Sequence, residues 1–255
     1  MFHITWITFL IVCPFQILAG MVDSIAGGGG LISLPVYLIA GLPAHAAVAT
    51  NKLSSCCGTA VSTARFIKNG LINLKVALPS VEAAILGSFA GARLSMITNE
   101  RILEYMILAI IPVAAFFVLN NKLFNRSEND SVPVTRRTVI VAVFAALIIG
   151  MYDGMYGPGT GTFLIIAFTV FARLSVESSN AQAKIINLTS NITALVVFLL
   201  HHQVIIPLGL AAAVCNITGN YIGSGLVMKD GAKIVRPMII FVLILLLIKV
   251  LTNLI

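Results

Sequence analysis

The chain has 255 residues, of which 59% are apolar and only 10% charged, with a formal net charge of +7, whereas a soluble domain carries roughly 25% charged residues. With a mean hydropathy of +1.04, this excludes a water-solvated globular domain and describes an all-α polytopic membrane protein whose first partner is the lipid bilayer. The basic residues stand singly or in small groups between apolar runs, which excludes a nucleic-acid face and makes them topology signals.

Ten apolar elements follow in chain order, at 3–25, 30–41, 44–67, 76–96, 101–119, 138–156, 161–172, 177–200, 206–228 and 234–253. The run from Met1 to Val22 has no formal charge and the length of a bilayer-spanning helix of about 20 residues. It lacks a basic start and leads directly into a glycine cluster, so it reads as a retained helix rather than a cleaved signal peptide. The second and seventh elements are too short to span alone. A long polar connection, containing Asn125-Arg126-Ser127-Glu128-Asn129-Asp130, falls near the middle. It divides the chain into a first membrane repeat at 1–119, a linker at 120–137 and a second membrane repeat at 138–255.

The halves resemble each other. Gly20-Met21-Val22-Asp23-Ser24-Ile25-Ala26-Gly27-Gly28-Gly29-Gly30 returns as Gly150-Met151-Tyr152-Asp153-Gly154-Met155-Tyr156-Gly157-Pro158-Gly159-Thr160. Further on, Gly87-Ser88-Phe89-Ala90-Gly91 lines up with Gly219-Asn220-Tyr221-Ile222-Gly223; small residues at i and i+4 let membrane helices approach closely. If every element crosses, the second half enters from the opposite side. Arg65, Lys68, Lys75, Lys122, Arg126, Arg136, Arg137, Arg173, Lys229, Lys233 and Arg236 then share one side, with Arg93 and Arg101 on the other. The positive-inside rule thus favours inverted repeats of about five elements each, with eight to ten transmembrane elements in all.

Irregular backbone is tolerated at membrane depth only where protein buries it or it lines a watery cavity. Gly27, Gly28, Gly29 and Gly30, and in the second half Gly157, Gly159 and Thr160, suit the end of one helix and the start of a short second one. The N–H groups and positive dipole end of that second helix favour an anion. Glycines also serve tight helix crossing. The aspartate and under-length helix that accompany both copies favour a substrate path.

The element after each break carries polar residues at helical spacing, which is costly in a membrane unless they face the bundle interior. Asn51, Ser55, Thr59 and Ser62 fall on one face with Lys52 alongside, and Lys184, Asn187 and Asn191 do the same in the second half. A central cavity so lined offers amides, hydroxyls and two ammonium groups to a small oxyanion. Asn191 equally suits a structural hydrogen bond between helices. Asp23 and Asp153 hold equivalent positions, each four residues before its break. Either carboxylate could bind a coupling proton or pair with Lys52 or Lys184, and pairing is the commoner use.

Glu82 follows an expected helix-start signal at Pro79-Ser80 and has no counterpart in the second half. Cys13, Cys56, Cys57 and Cys215 lie in apolar stretches without zinc spacing and read as small hydrophobes. His201 and His202 sit in an expected outer turn and read as solvated, and nothing ties them to His3 and His45 as a metal site. No metal or cofactor is expected.

Asp23-Ser24-Ile25-Ala26-Gly27-Gly28-Gly29-Gly30-Leu31, Ala49-Thr50-Asn51-Lys52-Leu53, Tyr152-Asp153-Gly154 with Gly157-Pro158, and Ala183-Lys184-Ile185-Ile186-Asn187 with Ser190-Asn191 resemble the TauE/SafE family over essentially the whole chain. The resemblance implies movement of sulfite or organosulfonates across the cell (inner) membrane. Glu82 lies outside the family pattern.

Three other classes compare less well. An ATP-driven pump needs a nucleotide site, and no G-x-x-x-x-G-K-[ST] motif is present. An enzyme needs a nucleophile and base poised together, whereas these polar residues form cavity-lining stripes. A passive anion channel or uniporter uses the same donors and dipoles and is the main alternative. Composition is compatible with a homo-oligomer, since lipid-facing and partner-facing helices look alike.

Overall fold

The computed structural model describes residues 6–97 and 134–254. Among these it forms nine helices and no strands: α1 (Trp6–Ala26), α2 (Gly30–Ile39), α3 (Ala44–Lys68), α4 (Leu74–Ser95), α5 (Arg136–Met155), α6 (Thr160–Val170), α7 (Val176–Leu200), α8 (Ile206–Asp230) and α9 (Ala232–Leu254). Each matches its expected element to within about a turn. The element expected at 101–119, and all but the end of the 120–137 linker, lie outside the described residues.

Helices α1, α4, α5, α7 and α8 are long and apolar enough to cross a membrane. The α2 and α6 helices, of 10 and 11 residues, are not. Helix α3 has the length, at 25 residues, but its buried Asn51, Lys52, Ser54, Thr59, Ser62 and Thr63 lower its apolarity.

Local chemistry sets the helix ends. Thr135 and Thr138 form a reciprocal capping box at the start of α5, and the Ser175 side chain accepts from Ser178 N at 3.2 Å to open α7. Such caps satisfy backbone donors that the first turn leaves free. The helix start expected at Pro79-Ser80 is corrected: α4 begins at Leu74, where the Asn73 side chain accepts from Lys75 N at 3.0 Å. Pro79 lies inside the helix, one turn on, where it removes a single backbone bond near the end. Glu82 is exposed on the outside of the bundle.

Contacts between helices fix their directions. Along α1 and α8, Gly219 meets Ile17 and Gly223 meets Met21, so these two run parallel. Along α4 and α5, Gly87 meets Leu147 and Gly91 meets Met151, again parallel. Thus the Gly-x-x-x-Gly face of each half packs on the opening helix of the other. Helix α3 also runs parallel to α8, through Leu53 against Gly209, Gly58 against Asn216 and Arg65 on Ser224. Helix α7 runs with α4, where the Ser88 hydroxyl donates to Ser190 O at 2.6 Å.

Two bodies follow, α1–α3–α8 and α4–α5–α7, each drawing helices from both halves. They meet where α3 crosses α7. After α1, the chain reverses through Gly27 (φ +74°) and α2 returns along α1, with Gly29 against Ala19 and Asp23. There Val36 and Tyr37 join Val12 in one buried cluster. After α5, Gly157 (φ +94°) and Gly159 (φ +80°) reverse the chain in the same way. Positive φ at these points favours glycine because a Cβ is strained there.

A Cβ at Gly219 would fall on the Ile17 carbonyl oxygen, a backbone atom that cannot swing aside. Gly219→Leu should therefore cost at least about 1–3 kcal/mol of stability. Gly225→Ala, whose Cβ would meet only the flexible Arg65 side chain at 3.4 Å, should be tolerated. Thermal unfolding of the two variants in detergent checks the contrast.

Candidate functional site

The two breaks meet. The α-carbons of Gly27 and Gly161 lie against each other, so that a side chain on either would overlap the other's backbone. The Thr162 hydroxyl donates to Ala26 O at 2.6 Å, and Asn180 Nδ2 donates to Ser24 O at 3.1 Å and Ile25 O at 3.2 Å. These bonds satisfy carbonyls at the end of α1 that have no helical partner. The second half therefore holds the first break in place.

Beside this crossing lies a polar cavity lined by Asp23, Gly27, Gly30, Asn51, Lys52, Ser55, Asp153, Tyr156, Gly157, Thr160, Asn187 and Asn191. Its volume is about 20 Å³, room for about one water. Both short helices start here, at Gly30 and Thr160. Their first-turn N–H groups bring the positive dipole ends to the cavity.

The charges around the cavity are crossed between the halves. Lys52 Nζ of α3 lies 2.9 Å from Asp153 Oδ1 of α5. Lys184 Nζ of α7 lies 3.0 Å from Asp23 Oδ2 of α1. Each pair joins the two bodies. Lys52 also donates to Asn191 Oδ1 at 2.9 Å, and Asn191 Nδ2 donates in turn to Asn187 Oδ1 at 3.2 Å. Thr59 donates to Asp23 Oδ2 at 3.3 Å, and the Ser190 hydroxyl donates to Asp153 Oδ2. Two ammonium groups and two carboxylates give a neutral quartet, so the ammonium groups expected to serve an anion are already partnered.

Most expected site residues come together here. Asn51, Lys52, Asn187, Asn191, Gly27, Gly30, Gly157, Thr160 and both aspartates line the cavity. Lys184, Gly28, Gly29 and Gly159 do not. Lys184 is fully buried behind Asp23, Gly28 packs on Val242 and Gly29 on α1, and Gly159 supplies the left-handed start of α6. A Cβ at Gly157 would lie 3.1 Å from Lys52 Nζ and 2.7 Å from Asp153 Oδ1, so that glycine keeps the ion pair accessible. Asn51 Oδ1 is buried without a hydrogen-bond partner at the cavity wall, where a bound donor would satisfy it.

Tyr156 and Asn180 complete the site without having been singled out, and so does Ser190, which was quoted only as part of the resemblance and given no role. Ser190 and Asn180 lie one turn beyond Asn187 and one turn before Lys184, so extending the polar stripe by a turn each way reaches them. Tyr156 immediately precedes the break, where the first half has Ala26. His201 and His202 are exposed at the end of α7, away from the cavity.

Removing one partner of a buried pair leaves an uncompensated charge, which costs about 3–5 kcal/mol. Lys52→Met should show a loss of that size, and Lys52→Met combined with Asp153→Leu should recover most of it. Denaturation of both variants in detergent measures the difference; a single variant no worse than the double would deny the pair its role.

A sequence profile described as "Sulfite exporter TauE/SafE" matches residues 12–250. The "Probable membrane transporter protein ORF9" of a Sinorhizobium species is 34% identical over 253 residues, covering 99% of this chain and 94% of that protein. The "Probable membrane transporter protein YfcA" of Escherichia coli K12 is 36% identical over 228 residues, covering 88% and 82%. A "Probable membrane transporter protein" of Haemophilus influenzae is 30% identical over 223 residues, covering 87% and 86%. No solved structure matches the chain.

Proposed function

Because the chain belongs to the sulfite exporter TauE/SafE family of membrane transporters, we propose that it is a secondary transporter carrying a small anion of the sulfite or organosulfonate class across the bacterial cell membrane by alternating access. The observation that carries this reading is the pair of crossed ion pairs at the junction of the two bodies. They sit where both broken segments bring helix N-termini to one cavity.

The parallel pairing of α1 with α8 and of α4 with α5 supports inverted repeats. In that arrangement α1, α3 and α8 start at one end of the bundle, and α5, α7 and α9 at the other. Arg65, Lys68, Lys75, Arg136, Arg137, Arg173, Lys229, Lys233 and Arg236 cluster at the second end, and the positive-inside rule makes it cytoplasmic. Arg93, His45, His201 and His202 fall at the first end. The α1–α2 and α5–α6 pairs are hairpins that enter and return, and each half contributes one such hairpin to the midplane.

Charge balance dictates the chemistry. The quartet is neutral, so a lone anion would add a net buried charge, at a cost of several kcal/mol. A proton taken up by a carboxylate frees a lysine and keeps the site neutral as the anion enters. The same event weakens a pair between the bodies and lets one rock against the other. The 20 Å³ cavity is too small for an organosulfonate, so loading requires this opening. The amides of Asn187 and Asn191 and the helix N-termini hold the anion's oxygens.

The test is uptake of sulfite, sulfate and a small alkanesulfonate into proteoliposomes, with and without an imposed pH gradient. Saturable accumulation driven by the gradient is expected. Downhill flux without accumulation would favour a channel or uniporter, and absence of flux for all three would overturn the substrate class. Asn187→Ala should lower flux at least tenfold while leaving folded protein.

A further inference from the structure

The two ion pairs are related by the internal duplication, yet they are not equivalent. Asp153 is held at both oxygens, by Lys52 at Oδ1 and by the Ser190 hydroxyl at Oδ2. Its side chain is 3% exposed. Asp23, which lines the cavity, takes the Lys184 ammonium and the Thr59 hydroxyl on the same oxygen, Oδ2, so that Oδ1 carries neither of these bonds. Its side chain is 12% exposed. The lysines divide the other way. Lys52 lines the cavity, whereas Lys184 is fully buried and does not.

Resting on the transporter reading above, we infer that the duplicated pairs have separate tasks: Asp23 is the proton acceptor, Lys52 is the cation that meets the substrate anion, and Asp153 and Lys184 are fixed counter-charges. A proton arriving at the cavity adds to Asp23 Oδ1 without first displacing a hydrogen bond. At Asp153 it would have to displace Lys52 or Ser190. Protonated Asp23 no longer neutralises Lys184, so the site gains one positive charge in exact balance with one negative charge on the anion. The anion then draws on Lys52, the N-termini of α2 and α6, and the Asn187–Asn191 pair.

Other groups around Asp23 fit this division. Helix α3 presents Thr59 to it, with Lys52 and Cys56 farther along, and α7 presents Lys184. Asp153 and Tyr156, from α5 and its end, line the opposite wall. Helix α8 packs beside this stretch of α1 through Gly219 and Gly223, and α9 brings Val242 to Gly28. The nearest cation to Asp23 is thus one that the substrate cannot reach.

The discriminating variants are Asp23→Asn with Lys184→Met, which removes one pair as a neutral unit, and the conservative Asp23→Glu and Asp153→Glu. In proteoliposomes the double variant should lose at least tenfold of its pH-gradient-driven sulfite accumulation, while its thermal unfolding in detergent stays within a few degrees of the unaltered protein, because the pair is removed as a neutral unit. Asp23→Glu should keep accumulation and shift the pH at which it is half-maximal, while Asp153→Glu should leave that pH unchanged. Retained gradient-driven accumulation in the double variant would overturn the assignment, as would a shift confined to Asp153→Glu. If the unaltered protein itself shows no gradient-driven uptake, the transporter reading fails first, and the two failures are distinguishable.

Discussion

A charge cannot stand alone inside a low-dielectric protein, and here four of them meet at one level of the bundle. The cost of burying each is several kcal/mol. It is offset only because every ammonium finds a carboxylate at hydrogen-bonding distance. The pairing is crossed: the aspartate of each half neutralises the lysine of the other. Neither half could bury its own pair in isolation, because Asp23 and Lys52 approach different partners. Neutrality therefore requires both halves to assemble, and it fixes where α1, α3, α5 and α7 converge.

Close backbone approach makes this convergence feasible. Gly27 against Gly161, Gly219 against Ile17 and Gly91 against Met151 bring helices nearer than any side chain would allow. In lipid no hydrophobic force drives helices together, so dispersion contacts at small residues and polar bonds between helices carry the association. The same contacts exchange partners between the halves, which is why the two bodies are α1–α3–α8 and α4–α5–α7 rather than one repeat each. The junction between them has this polar centre, with an apolar cluster beside it in which Val48 and Ala49 of α3 meet Ala194, Val197 and Phe198 of α7. A junction held by ion pairs and amides responds to a proton or an anion, whereas an apolar one would not.

Much of this was legible in the sequence. Helix positions followed from apolar runs of bilayer length, and the breaks from glycine clusters that no straight helix needs. Duplication identified Asp23 with Asp153 and pointed to pairing with Lys52 and Lys184, although which aspartate meets which lysine depends on tertiary packing. The stripe rule placed Lys184 beside Asn187 on one face, yet its ammonium turns behind Asp23 and leaves the cavity. A helical face is wide enough to serve both a cavity and the helix next to it, so periodicity cannot separate these two uses. Pro79-Ser80 misled because proline is tolerated near a helix start, and the Asn73 side chain, seven residues before Ser80, supplies the cap instead. Extending the stripe by one turn reaches Asn180, but periodicity does not announce its role, which lies in reaching the carbonyl of a residue 155 positions away.

The central claim is that the two bodies move against each other when the quartet is disturbed. Electron-paramagnetic distance measurements between spin labels test it most directly. Labels at the exposed positions Leu10 of α1 and Phe89 of α4 report on one end of the junction, and labels at Ile67 of α3 and Ile140 of α5 on the other. A third pair, at Leu10 and Val214 of α8, lies within one body. Adding sulfite at acidic pH should lengthen one inter-body distance and shorten the other, leaving the third unchanged. Constant inter-body distances, or a change only between α1 and α8, would contradict the account.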